Sequence, residues 1–190
     1  MTSNDDTVDP APLKLMLTHD SPLSCSLITE VAITCYNAEE VKCCTVSSLE
    51  EAFPGINSDW VCWLDVQGLG RETILPQLAE QLDLHPLLLE QVVNLLQRPR
   101  FEDYDTQLLM IGRMVKAEKS ERGFSRQQVS LVLGKNFVLT IQESADFGEC
   151  FAPLRDRLQR NKGTARHQNA GYLFCALIDA IIMGFFPVLE

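Results

Sequence analysis

"DWVCWLDV", Asp59 to Val66, is the stretch on which the fold turns. It is a compact apolar run bounded by turn residues and closed by "GLG" at 68–70, the pattern of a strand buried in the middle of a sheet. Just upstream, "LITEVAITCY" (27–36) alternates apolar and polar residues, and "VKCCTV" (41–46) follows the turn "NAEE", which predicts a hairpin. "SSLEEAF" (47–53) carries a Ser cap and first-turn acids, a short helix signal.

Downstream, "RETILPQLAEQLDL" (71–84) places Ile74, Leu75, Leu78 and Leu82 at helical spacing. In "HPLLLEQVVNLL" (85–96), Pro86 has the fixed φ suited to the first helical position and holds His85 in an extended entry. Pro99 forces Arg98 away from helical angles, so this helix is expected to end near Gln97, with "RPRFEDYD" redirecting the chain. Three further strands are expected at "QLLMIGRMV" (107–115), "QVSLVLG" (128–134) and "FVLTIQE" (137–143), the last two joined by Gly134, Lys135 and Asn136. "FAPLRDRLQRNKG" (151–163) is an amphipathic helix stopped by Gly163, and "NAGYLFCALIDAIIMGFFPVLE" (169–190) opens a helix apolar almost all round. The fold class is therefore α/β, with a mixed parallel and antiparallel sheet covered by helices. Residues 1–26, rich in Asp, Ser, Thr and Pro, are expected to form a flexible arm, 27–168 the α/β domain, and 169–190 the start of a further helical segment. The last helix stops at Glu190 without a capping residue, and on that ground the natural chain is expected to continue.

Composition narrows the function. With 46% apolar and 22% charged residues the chain is that of a folded protein. Its net charge of −10 disfavours nucleic acid as a partner and concentrates cations. Seven cysteines without a Cys-x-x-Cys pattern suit a reducing cytosol rather than a disulfide framework. No secretory signal opens the sequence, and no uninterrupted run of about 20 apolar residues is expected to span a bilayer, so the chain as given reads as soluble.

Motifs for chemistry are sparse. "GLG" and "LGKN" lack the spacing of nucleotide-binding loops, His19, His85 and His167 have no metal-spaced companions, and the adjacent Cys43 and Cys44 point to opposite faces of a strand. No nucleophile, base and orienter assemble, so an enzyme is not expected. The basic island Arg155, Arg157, Arg160, Lys162 and Arg166 is either a solvated helix face or a contact for phosphates or an anionic membrane. Two acids stand out: Glu90 in a Leu- and Val-rich helix and Asp179 inside "CALIDAIIMG". Each is either a paired acid at a helix contact or an oxygen ligand for a hard cation such as Mg2+, a role Glu102, Asp103 and Asp105 could share.

Several stretches in order, "WLDVQGL" (63–69), "LHPLLLEQVVNLLQRPRFEDYD" (84–105), "QVSLVLGKNFVLTIQE" (128–143), "FAPLRDRLQRNKGTAR" (151–166) and "YLFCALIDAIIMGFFPVLE" (172–190), resemble the cytoplasmic domain of the CorA-type magnesium and cobalt transport proteins. The resemblance implies a three-layer α/β/α domain of an inner-membrane protein, a homopentamer, continued by stalk and membrane helices beyond Glu190. The family's Gly-Met-Asn pore tripeptide does not occur here. The resemblance further implies Mg2+ (or Co2+) as transported and regulatory ion, sensed by acids at subunit contacts, onto which Glu90 and Asp179 map as metal residues. Gln91 stands where the family commonly has Asp, and Met183 and Gly184 stand where it frequently has acids. A zinc-transporting relative and a stand-alone interaction module are the competing implications.

Overall fold

The computed structural model describes residues 30–46, 59–69, 74–95, 97–117, 123–144, 147 and 150–189. The N-terminal arm expected at 1–26 and the helix expected at 47–53 lie outside them. Seven strands form one sheet: β1 (Glu30–Tyr36), β2 (Val41–Val46), β3 (Val61–Gln67), β4 (Arg100–Tyr104), β5 (Gln107–Ala117), β6 (Phe124–Leu133) and β7 (Phe137–Gln142), in the spatial order β2-β1-β3-β7-β6-β5-β4. The opening stretch is thus the interior strand it was expected to be, with neighbours on both sides. Every neighbouring pair is antiparallel except β3 and β7, where Leu64 faces Leu139 in parallel register. In the β1–β2 turn, the Asn37 side chain accepts the backbone N–H groups of Glu39 and Glu40, the local bonding for which Asn is favoured in turns.

Helices cover both faces. α1 (Ile74–Gln81) and α2 (Pro86–Val93) lay Leu78, Leu88 and Val92 on the face formed by Ile33, Leu64, Leu109 and Leu139. On the opposite face, α3 (Ala152–Gln159) and α4 (Ala170–Met183) cover Trp63, Leu131 and Val138 with Leu154, Leu158, Leu173 and Leu177. The short α5 (Phe186–Leu189) continues α4 after a turn at Gly184. The expected mixed sheet sandwiched between helices is what the structure contains.

Four expectations need correcting. α2 ends at Val93, not near Gln97: Asn94 is extended (φ −83°, ψ 106°), and side chains of the sheet hold the carbonyls of the segment that follows, Gln128 Nε2 donating to Asn94 O at 2.9 Å and Arg113 Nη2 to Gln97 O at 2.9 Å. "RPRFEDYD" does more than redirect the chain, since it forms the edge strand β4, which turns into β5 through Asp105 in a left-handed conformation (φ 55°). Cys35 and Cys62 are joined as a disulfide, a pairing that counting cysteines could not find because the β1–β3 register brings together residues 27 apart. Finally, Ala170–Leu189 is by length and composition able to cross a membrane once Asp179 is tolerated within it, although here Leu173, Phe174, Leu177 and Ile181 are buried on the sheet.

Candidate functional site

Pro86 starts α2, and His85 caps it, its Nδ1 accepting the Leu87 N–H at 3.3 Å. Because Leu88 and Val92 point into the core, the helical period turns Glu90 outward, and it is exposed. Gln91 is half-buried and occupied within the chain: its Oε1 accepts from Gln97 Nε2 at 2.9 Å and Arg100 Nη2 at 2.5 Å. Arg100 also pairs with one oxygen of Glu102, and the Tyr104 hydroxyl donates to the other. The Tyr104 ring lies 5.0 Å from that of His85. The Tyr104 hydrogen bond, aided by Arg100, holds the Glu102 carboxyl below its ordinary range. Burial, and then the bond to Glu102, push the Tyr104 hydroxyl up to about 12. A resident guanidinium thus already sits against the Gln91 oxygen.

Asp179 is exposed on α4. Since α2 covers one face of the sheet and α4 the other, Glu90 and Asp179 lie in opposite outer layers and cannot share an ion within one chain. Asp103 and Asp105 are exposed and Glu102 is committed to Arg100 and Tyr104. Among the described residues, no three His, Cys, Asp or Glu side chains converge as a metal site.

The most elaborate polar constellation involves an acid that the sequence pattern left unremarked. Asp65, only 1% exposed, is the lone acid within strand β3. Its carboxylate accepts from Thr140 Oγ1 (2.5 Å), Gln142 Nε2 (2.8 Å) and Gln67 Nε2 (2.8 Å), and pairs with Arg155 of α3. Arg155 lies 4.8 Å from the centroid of the Trp63 ring, whose Nε1 donates to Thr140 at 3.0 Å. Burial, reinforced by the Asp65 charge, raises the nearby Cys150 thiol to about 12. All of the carboxylate's capacity is used by the protein, so this cluster anchors α3 to the sheet and is not an open ligand site. The signal was available: a single charge inside a strand buried on both faces must have a partner.

Arg155 was one member of the basic island, and its neighbours are also engaged. Arg166 is 8% exposed, and its guanidinium donates to the carbonyls of Leu158 and Gln159 at 2.5 and 2.6 Å, closing the C-terminus of α3. Arg160 and Lys162 pair with Asp156, and Arg157 reaches the Tyr172 hydroxyl. The island is therefore only in part the solvated face expected of it.

Comparison with known proteins agrees with this architecture. Residues 58–190 match the family described as CorA-like Mg2+ transporter protein. The cobalt/magnesium transport protein CorA of Thermotoga maritima is 32% identical over 161 residues, which cover 85% of this chain and 45% of that protein, so the chain spans less than half of that relative's length. The soluble domain of CorA from Methanocaldococcus jannaschii superposes with a TM-score of 0.61 at 16% identity, over 84% of this chain and 58% of the other. The ZntB cytoplasmic domain from Vibrio parahaemolyticus shares the fold with a TM-score of 0.59 at 12% identity, over 83% and 60%. From the match over residues 58–190 and the sequence identity it shares with a CorA protein, the chain belongs to the CorA-like Mg2+ transporter family.

Proposed function

We propose that this domain is the cytoplasmic regulatory and gating part of a CorA-like transporter of divalent metal ions, Mg2+ or Co2+, held at the inner membrane by a segment beyond residue 190. It has no catalytic role in this reading. The family match over residues 58–190 carries the reading. The placement of Glu90 and Asp179 supports it further: both are exposed carboxylates on opposite outer layers, open to a neighbouring copy and not to each other. In a ring of five copies a divalent ion bridging such acids offsets their mutual repulsion, and losing the ion loosens the ring and opens the gate. Gln91 weakens that device, because it brings no charge and its oxygen already accepts from Arg100 and Gln97. Regulation therefore rests on Glu90 and Asp179.

The test is Mg2+ binding by calorimetry, together with sedimentation, on the protein and on the Glu90→Ala/Asp179→Ala double variant. We expect at least tenfold weaker binding in the variant and loss of any Mg2+-dependent association. Unchanged binding sinks the assignment of these two residues. The likeness to the ZntB domain makes Zn2+ the ion to compare, and tighter Zn2+ binding lost in the same variant would move the reading to a zinc transporter.

A further inference from the structure

Cys35 and Cys62 stand directly opposite each other on β1 and β3, with Cα atoms 4.1 Å apart and residue exposures of 6% and 2%. The other four described cysteines are free thiols, and Cys43, Cys44 and Cys175 among them are exposed. Exposed thiols persist where the surroundings are reducing, and there a disulfide is typically transient and redox-sensing rather than a permanent staple. Both oxidation states suit the site, since two thiols pack in an apolar core as small hydrophobes and the register already holds the sulfurs in bonding reach.

The two sulfurs are not equivalent. Lys42 is the β2 residue directly opposite Cys35, and its ammonium lies 4.7 Å from the centroid of the Trp60 ring. Its side chain therefore reaches from the edge strand across the end of β1 toward the entry to β3. Among the described residues, the acid paired with it is Glu40, at 4.0 Å on the exposed turn. A positive charge on the strand residue paired with Cys35 favours its thiolate over that of Cys62, and Cys35 is the less buried of the pair.

We propose that Cys35 and Cys62 form a reversible, peroxide-responsive redox site, with Cys35 as the attacking sulfur and Cys62 as the resolving one. The Cys35 thiolate attacks one oxygen of hydrogen peroxide, forming S–O as O–O breaks, and the departing hydroxide takes a proton to become water. The Cys62 sulfur then attacks the Cys35 sulfenic acid, forming S–S as S–O breaks and releasing a second water. Two thiols are oxidised by two electrons and one peroxide is reduced to two waters. The bridge fastens the β1–β2 hairpin, which pairs with the rest of the sheet through β3 alone.

The experiment treats the reduced, folded protein with hydrogen peroxide, alkylates the remaining thiols and maps cross-links by mass spectrometry. We expect a Cys35–Cys62 cross-link that dithiothreitol opens without denaturant. Trapping with dimedone should label Cys35 in the Cys62→Ser variant and leave Cys62 unlabelled in Cys35→Ser. Lys42→Ala, on an exposed side chain that leaves the core intact, should slow oxidation at least threefold. No cross-link in the unmodified protein, a cross-link that dithiothreitol opens only after unfolding, or an unchanged rate in Lys42→Ala each overturns the proposal.

Discussion

Removing the charge of Asp65 should destabilise the domain more than any comparable change at its surface. The carboxylate is 1% exposed, while the Arg155 side chain is 23% exposed. Breaking a buried pair by removing one partner costs about 3–5 kcal/mol, because the remaining charge keeps its desolvation penalty and loses its compensation. Asp65→Asn leaves the better-hydrated partner behind, so its cost belongs near the lower bound, about 3 kcal/mol. Arg155→Met leaves the fully buried carboxylate with three neutral donors and no counter-ion, which places it higher, about 4 kcal/mol. The double variant holds no charge and should be less damaging than either single change. Urea unfolding followed by tryptophan fluorescence gives all three values, with Trp63 as a probe inside the cluster. If the two single costs add in the double variant to within about 0.5 kcal/mol, the residues are uncoupled and the reasoning fails. It fails equally if Asp65→Asn costs less than about 1 kcal/mol, the range of an exposed pair.

Arg166→Met removes two charge-assisted bonds from the end of α3 and should cost about 2–4 kcal/mol in the same urea assay, with little recovery in Arg166→Lys, which lacks the two-pronged geometry. Gly134→Ala sets a methyl group into the Phe137 ring and should lower stability by about 1–3 kcal/mol, with altered hydrogen exchange at the β6–β7 turn; a neutral result would mean the ring has room to move. Tyr104→Phe should raise the Glu102 carboxyl pKa toward its ordinary range in an NMR titration. A depressed carboxyl contributes stability above the ordinary carboxylate range and loses it as pH falls, so the difference between Tyr104→Phe and the unmodified protein should shrink in acid.

Much of the fold was legible because long elements announce themselves: the apolar run of β3, the paired strands around Gly134–Asn136 and the proline at the start of α2 all formed as expected. Edge strand β4 escaped because Arg100–Tyr104 is polar and alternates only between half-buried and exposed positions. The true end of α2 was hidden for a different reason, since Arg113 and Gln128 act on it from strands 15 or more residues away. Glu90 and Asp179 were found as acids in apolar helices, yet which face each would present depends on packing that periodicity hints at and only the layers decide. Asp65 carried as clear a signal as either. Its meaning lay in Thr140, Gln142 and Arg155, which are 75 or more residues distant and come into view only once β3 and β7 are paired.

That pairing has a consequence for how one arrangement of the chain prevails over its neighbours. Within the sheet, β3 and β7 are the strand pair that joins the β2-β1-β3 and β7-β6-β5-β4 blocks, and β7 is buried along its whole length. A two-residue slip along this seam returns every side chain to its original face, and it would set Ile141 in the place of Leu139, or Leu139 in that of Ile141, with little loss of apolar contact. The slip would nevertheless put Val138 or Gln142 opposite Asp65 in place of Thr140 and leave a buried carboxylate short of donors. The polar cluster thus acts as an address: the apolar surface makes the two blocks adhere, and Asp65 specifies the one alignment in which they do so.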